Sequence, residues 1–360
     1  MVSPNDTSQV YKELDGVVLS GSSLSASYYT DTRTSGRLTV LGDAYMSYRN
    51  SFIRITYEIP SIGHRRVLGT YLVVNDNGRE ENGAWVYELD LQSMLYGLSK
   101  ELGWRPMSFA KGAKIMSGAH AIVTSSAGGK VKYRDNMSKA KNRTFSQPLV
   151  FESGTSVLAR LYDLCKAADV RMDVGPNAEV TFADYTEPAK KAPIMTLDYY
   201  DEGGIIIDGL DLSTNWHEMV SEAAVTYKFT EQTKDSSGKT DSVQKEVNGH
   251  ATAGKLHQNP ANRGWTVTSF ESLSDVENPT QAMANKKAKE NLAKESKELV
   301  EWTLTSLYAP LWEGDVVNLV VPSGPYKGTR KCLVKNVELE LEHMTMELTL
   351  KETASGDEET

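Results

Sequence analysis

The sequence predicts a mainly β protein with α+β elements, in which a small mixed α/β domain separates two β units and a long helix precedes the last strands. Three observations carry this. Apolar and polar residues alternate through much of 53–91, an amphipathic helix feeds directly into a strand at 157–174, and a polar, alanine-rich helix from about Pro279 to Leu299 leads into a strand, a turn and further strands.

Length and composition narrow the class. A chain of 360 residues has room for two or three domains, each with its own core. Cys165 and Cys332 lie far apart in apolar segments, which predicts two buried thiols and a reducing site of assembly. No apolar run approaches the roughly 20 residues that span a bilayer, and Met1-Val2-Ser3-Pro4 opens no signal segment, so a soluble, unprocessed protein without membrane insertion is expected. The net charge of -9 argues against a general DNA-binding surface. Two basic exceptions, His64-Arg65-Arg66 and the looser set Lys130, Lys132, Arg134, Lys139, Lys141 and Arg143, read as solvated loops because few aromatic residues interleave them.

The elements follow in order. After a Ser/Gly-rich lead at 20–27, Ile53, Ile55, Tyr57 and Ile59 alternate with polar residues as a strand with one buried face. A second strand is expected over Val67–Val74, closed by a tight turn at Asn75-Asp76-Asn77-Gly78, and a third over Ala84–Leu91. This spacing reads as an antiparallel barrel or sandwich, ending near Pro106. In the middle segment, 107–193, Val157, Leu158, Leu161, Cys165 and Ala168 form the core stripe of a helix with Arg160 off it; Thr155 or Ser156 caps its start, and Val170, Met172 and Val174 continue as a strand.

The third segment, 194–352, begins with a strand around Ile205-Ile206-Ile207 and another at Ala223–Phe229. Its helix is expected to be capped by Asn278, with Pro279 at the first helical position and Gln281 as reciprocal partner. The stripe Ala284, Ala288, Leu292 and Leu299 buries so little apolar area that the helix is expected to line a surface or a channel. At the end Val337, Leu339 and Leu341 alternate with glutamates, and beyond His343 the apolar set Met344, Met346, Leu348 and Leu350 is shifted by one residue. That shift requires either a tight hairpin or a bulge. Residues 353–360 read as a disordered acidic tail.

Motifs for chemistry are missing from the sequence. The six histidines are scattered, the cysteines lack ligand spacing, and no nucleophile elbow, phosphate loop or dinucleotide fingerprint occurs. Asp201, Asp208 and Asp211 flank an isoleucine run that reads as a strand, not a calcium loop. No catalytic, cofactor or metal residue is assigned, and the expectation is a non-enzyme. The residues singled out are those of the turn, Trp312, Gly314 and Asp315, and of the helix cap.

The order Gln281–Glu301, Trp302-Thr303-Leu304 and Pro310-Leu311-Trp312-Glu313-Gly314-Asp315-Val316-Val317 resembles the C-terminal region of long-tailed bacteriophage tail hub proteins, a family that includes the baseplate hub and the N-terminal hub part of siphophage tail-associated proteins. The unit Val157–Val174 also resembles the small domain that separates the two barrels of such hubs. The resemblance implies β-barrel tube domains at 1–106 and 194–352, a small α/β domain at 107–193, and a homotrimeric ring at the tail tip or baseplate that continues the tail tube. Its implied partners are the distal tail protein, the tape-measure protein and tail fibre or spike proteins, with phage DNA passing transiently through the ring. The implied location is the virion, after assembly in the host cytoplasm. The row Glu338, Glu340 and Glu342 is then either a polar channel wall or an ordinary solvated face. Two rival readings are a carbohydrate-binding tail adhesin, served by Trp85, Trp216, Trp265 or Trp312, and a peptidoglycan hydrolase, which needs a carboxylate pair such as Asp198 and Glu218.

Overall fold

The structure, a computed structural model, describes the chain except residues 4–6, 8–9, 11, 13–19, 43–47, 49–50, 60, 62, 200–203, 216–218, 235–239, 255–258, 260–263, 275–278, 297–298 and 354–360. It is mainly β, with 49% of the described residues in strands against 19% in helices. The N-terminal segment forms β1 (Ser23–Ser27), β2 (Thr34–Gly42), β3 (Phe52–Ile59), β4 (His64–Glu81) and β5 (Ala84–Gln92). Next come α1 (Met94–Lys100), β6 (Met107–Phe109), α2 (Ile115–Ser125), β7 (Tyr133–Asn136), β8 (Leu149–Phe151), α3 (Val157–Ala168), β9 (Val170–Val174) and β10 (Val180–Asp184). The remainder is β11 (Thr196–Asp198), β12 (Ile206–Asn215), β13 (Glu222–Lys234), β14 (Thr240–Thr252), β15 (Thr268–Ser274), α4 (Gln281–Glu295), β16 (Leu299–Leu307), β17 (Val316–Val321), β18 (Gly328–Glu340) and β19 (Thr345–Glu352).

Strands from both ends of the chain share one sheet, ordered β12-β16-β19-β18-β1-β2-β5-β4-β3, with β17 paired to β18 and β11 to β17. Among the described residues this ladder does not close on itself. The join is β1, the Ser-Leu-Ser-Ala-Ser stretch inside the Ser/Gly-rich lead, whose Leu24 and Ala26 are buried. It runs antiparallel to β18, from Ser23 opposite Glu340 to Ser27 opposite Asn336. The same edge of β18 pairs with β17 over Gly328–Leu333, so the sheet forks between the two partners. By internal contacts the chain forms one unit of Met1–Asp211 with Trp302–Ser355, and a second centred on Leu212–Glu301. Pairing between distant strands, β1 with β18 above all, brings segments from both ends of the chain into the first unit.

The expected turn at Asn75–Gly78 is not a turn. β4 continues through it in register with β5, Asn77 opposite Glu88 and Gly78 opposite Tyr87. A Cβ on Gly78 would lie 2.8 Å from the Tyr87 ring, so this glycine serves packing. The chain turns instead at Asn82-Gly83, where both residues have positive φ, 52° and 85°, as a tight hairpin demands. At the C-terminal shift the structure selects the hairpin: β18 pairs with β19, Glu340 opposite Thr345, and Met344 takes φ 53°. No glycine marks that turn because the Glu340 carboxylate organises it, accepting from the amides of Glu342 and His343, each at 2.7 Å.

Within the first unit, α1, α2 and α3 share a core with the three-stranded sheet β7-β10-β9 and the pair β6-β8. The predicted stripe Val157, Leu158, Leu161, Cys165 and Ala168 is buried, and the Ser156 hydroxyl caps α3 by accepting from the Ala159 amide at 3.1 Å. Arg160 is not off the core as expected but 3% exposed. Its Nη2 donates to the carbonyls of Gly103, Arg105 and Glu152 at 3.3, 3.2 and 2.7 Å, which makes a buried cation tolerable. Both cysteines are buried and free, their thiols pushed up to about 12, chiefly by burial.

The second unit is a sheet ordered β14-β13-β15 with α4 on one face. Ala284 and Ala288 are fully buried against Val225, Tyr227 and Ala251, so α4 is a core element rather than the surface or channel liner expected. The sheet admits the helix backbone at Gly249 of β14, where a Cβ would sit 2.1 Å from the Ala284 carbonyl carbon. The cap is displaced too. Thr280 is the N-cap, accepting from the Met283 amide at 3.2 Å, and Pro279 precedes it. Gln281, the first helical residue, donates to the Asn248 carbonyl at 2.5 Å instead of reaching back, and Asn278 lies outside the described residues. Among the described residues no helix is long and apolar enough to cross a membrane.

Candidate functional site: a charged junction at the Gly-Asp turn

The turn singled out in the sequence sits where the sheet forks. Asp315 closes it, its Oδ2 accepting from the Trp312 amide at 2.8 Å while its own amide donates to the Trp312 carbonyl at 3.2 Å. Gly314 takes φ 85° and donates to the Val334 carbonyl at 2.9 Å; Val334 returns a bond to the Asp315 carbonyl at 2.9 Å. The turn is thereby tied to β18 between the stretches that pair with β17 and with β1. Glycine is required twice over. Its dihedral is left-handed, and a Cβ there would meet the Arg171 guanidinium at 1.7 Å.

That guanidinium comes from β9, which the period of two places beside the turn with Arg171 and Asp173 on one face. Arg171 Nη2 donates to the Glu313 carbonyl at 3.1 Å and to Asp173 Oδ1 at 3.1 Å, and its Nε also binds Asp173. Arg33, just before β2, lies 3.5 Å from the same Asp173 carboxylate. Both arginines stack on Tyr28, 4.7 and 5.5 Å from its centroid. Lys191 donates to the Gly314 carbonyl at 2.9 Å. Four stretches of chain, around 28–33, 171–173, 191 and 312–315, thus meet around three carboxyl groups and three cations.

Burial sets the electrostatics. Glu313 is pushed up to about 8, first by desolvation and then by Asp173, against the pull of Arg171. It is therefore largely protonated near neutral pH, and its 3.8 Å contact with Arg171 is then not an ion pair. Asp315 is also raised by burial, and Lys191 is lowered by burial and by Arg171. Tyr71, wholly buried, is raised by burial and by Glu313. Alongside runs a groove of about 510 Å³ lined by Arg65, Arg66, Tyr71, Tyr308 and Trp312 among others.

This arrangement clamps segments together; it offers no nucleophile with an adjacent base. The turn residues Trp312, Gly314 and Asp315 come together as a unit, whereas Pro279 and Gln281 belong to the other unit. Sequence reasoning missed Arg33, Arg171, Asp173, Lys191 and Glu313. Arg171 and Asp173 read as the polar face of a strand, and only two opposite charges two residues apart, beside a buried helix, hinted at more. A possible cation cluster among the described residues, Glu340, Glu342 and His343, has its ligand atoms within 4.8 Å of one another, but Glu340 is already engaged in shaping the hairpin. Of the tryptophans considered for sugar stacking, Trp85 and Trp265 are exposed, Trp312 is half-buried in the turn, and Trp216 lies outside the described residues. Asp198, on β11, stands opposite Val320 of β17, while Glu218 lies outside the described residues.

No known family matches the sequence, and no curated protein does. Solved structures share the fold. A tail protein from Neisseria meningitidis MC58 superposes with a TM-score of 0.61 at 14% identity, covering 93% of this chain and 95% of that one. The 43 kDa tail protein of prophage MuSo2 from Shewanella oneidensis gives 0.60 at 14% identity over 93% and 97%. An Escherichia coli component of the type VI secretion system, described as similar to the T4 bacteriophage tail proteins gp27 and gp5, gives 0.52 at 8% identity over 96% and 77%. The fold is that of phage tail and hub-like proteins, as the sequence resemblance implied.

Proposed function

We propose that this chain is a structural hub of a bacteriophage tail tip or baseplate, a homotrimer whose ring continues the tail tube and anchors distal tail proteins. The observation that carries the reading is the fold likeness to two tail proteins, one of them from a prophage, over 93% of the chain. In this reading two tube domains are drawn from the large sheet, one around β2 to β5 and one around β16 to β19, with β1 as the seam. The small domain and the helix-bearing unit are insertions that face neighbouring proteins.

The exposed face of the C-terminal hairpin supports the reading. Glu338 and Glu347 stand directly opposite each other, and both are exposed. Like charges so placed destabilise a sheet modestly, by some tenths of a kcal/mol. An acidic face is what a channel needs if a DNA duplex is to slide past without being held. The charged junction has a structural role here, fixing the small domain to the tube so that load passes between them.

Native mass spectrometry of the purified chain tests the oligomer, with a trimer as the expected species. A strict monomer well above micromolar concentration, together with no ring-shaped particles by electron microscopy, sinks the proposal.

A further inference from the structure

The charges of the small domain sort by partner. Residues 107–150 hold eight lysines and arginines against one acid, Asp135, in a chain of net charge -9. The arginines are satisfied: Arg134 meets Glu179 at 2.7 Å and Arg143 meets Asp169 at 2.6 Å. The acids are engaged as well. Asp135 binds His120 at 2.9 Å, and Asp184 accepts from the backbone of Lys139, Ala140 and Ser138, bonds that hold it well below the usual carboxylate range. Lys130, Lys132, Lys139 and Lys141 are exposed, and among the described residues none has a carboxylate within 4.0 Å.

Among the described residues, these lysines flank a strand edge that pairs with no further strand. β7 is the outer strand of its sheet and runs parallel to β10, Tyr133 opposite Val180. The Val180 amide donates to the Lys132 carbonyl at 2.9 Å. In a parallel ladder that register turns the backbone groups of Tyr133 and Asp135 away from β10. All four residues of β7 are exposed. Tyr133 is held flat by stacking on His120, 4.2 Å between centroids and 10° between planes. Beside it opens a cleft of about 380 Å³ lined by Thr7, Arg54, Lys132, Tyr133, Arg134, Asn177 and Glu179, the one acid among them being paired with Arg134.

We propose that the open edge of β7 docks an extended acidic segment of another polypeptide, which adds beside β7 as a further strand and sets its carboxylates against Lys130, Lys132, Lys139 and Lys141. Main-chain bonds to the outward groups of Tyr133 and Asp135 supply affinity, the lysines supply selection, and the Tyr133 ring supplies an apolar contact. The same lysines repel an identical edge from a second copy, so the strand admits an acidic partner while resisting self-pairing. A phosphate polymer suits the site less well, because the outward carbonyls of the edge face its oxygens without a donor. A peptide strand satisfies both kinds of group. The inference concerns this surface alone and stands whether or not the chain belongs to a phage tail.

The probe is a fluorescein-labelled nine-residue peptide alternating Glu with Val and Thr, titrated with the full chain in a fluorescence anisotropy assay. Binding is expected to weaken by at least about tenfold in the double variant Lys130→Glu/Lys132→Glu, by a similar factor for the peptide N-methylated at alternate residues, and not at all in the exposed control Lys327→Glu. Thermal melts check that the variants stay folded. The proposal is overturned if the peptide does not bind at millimolar chain concentration, if the N-methylated peptide binds as well as the parent, or if a single-stranded oligonucleotide of equal charge binds more tightly.

Discussion

Two joints in this molecule solve the same mechanical problem by different means. At one, β9 meets the turn before β17 through Arg171, Arg33, Lys191, Asp173 and Glu313, polar groups withdrawn from water. At the other, α4 lies on β14 and β13 through two alanines and a glycine, an apolar contact beside which Asn291 and Lys287 bind Glu271 of β15. The charged joint depends on each partner neutralising another, since an ion left alone after burial is costly. The alanine joint depends on shape, because the small residues supply little apolar area and gain contact only by letting two backbones approach. The first should be sensitive to single-charge deletion and to pH, the second to added volume.

The largest expected effect is at the charged joint. Arg171→Ala removes the donor to the Glu313 carbonyl and leaves Asp173 with Arg33 alone, a change expected to cost about 3–5 kcal/mol in denaturant unfolding. Arg171→Lys keeps the charge but loses the fork that grips Asp173, and should recover only part of that loss. If the alanine variant unfolds within 1 kcal/mol or so of the parent, the joint is held by packing and the contrast collapses.

The next effect is one of pH. In the folded protein Glu313 stays protonated up to about 8, whereas in the unfolded chain it ionises near 4.5. Between those values the folded state holds the extra proton, so stability falls as pH rises across the window; below it the group contributes no slope. Glu313→Gln cannot ionise and should flatten the decline by a few kcal/mol between pH 5 and 8, on the order of one kcal/mol per unit. Equal pH profiles for parent and variant would show that Glu313 is ionised in the folded protein.

Legibility from sequence followed the size of the side chains involved. The α3 stripe was readable because leucines and valines recur at helical spacing, and the register shift at His343 was visible because two apolar sets cannot share one face. The strand that joins the sheet's two halves was not. In β1 the buried positions are Leu24 and Ala26 between serines, and its pairing with β18 spans some 300 residues, so local pattern carries no trace of it. Gly78 resembled a turn residue because the Tyr87 ring that needs its missing Cβ is remote until the strands pair. The turn at 312–315 shows in the sequence as a Gly-Asp step, yet its significance comes from Arg171, more than 140 residues earlier.

At the alanine joint, Gly249→Val should drive its new side chain into the Ala284 backbone and cost about 1–3 kcal/mol, with α4 displaced from β14. The comparison sharpens if Ala284→Gly, which adds no volume, costs only about 1 kcal/mol, the helix-propensity difference. Should Gly249→Val melt with the parent, the close approach of helix and strand is not what holds α4.

The smallest effect distinguishes the helices themselves. Ser156 caps α3 and Thr280 caps α4 by the same bond to an amide three residues on, and replacing either with alanine should cost about 1 kcal/mol. The consequences for local opening differ, because α3 is anchored by Leu158, Leu161 and Leu164 whereas the apolar residues that α4 buries fully are two alanines, with Leu292 only partly covered. Hydrogen exchange in Ser156→Ala should accelerate in the first turn of α3 alone. In Thr280→Ala it should accelerate along most of α4, since there is too little buried area to hold the remaining turns once the first has frayed. Identical, first-turn-only exchange in the two variants would mean that the glycine-alanine seam grips as firmly as a leucine core.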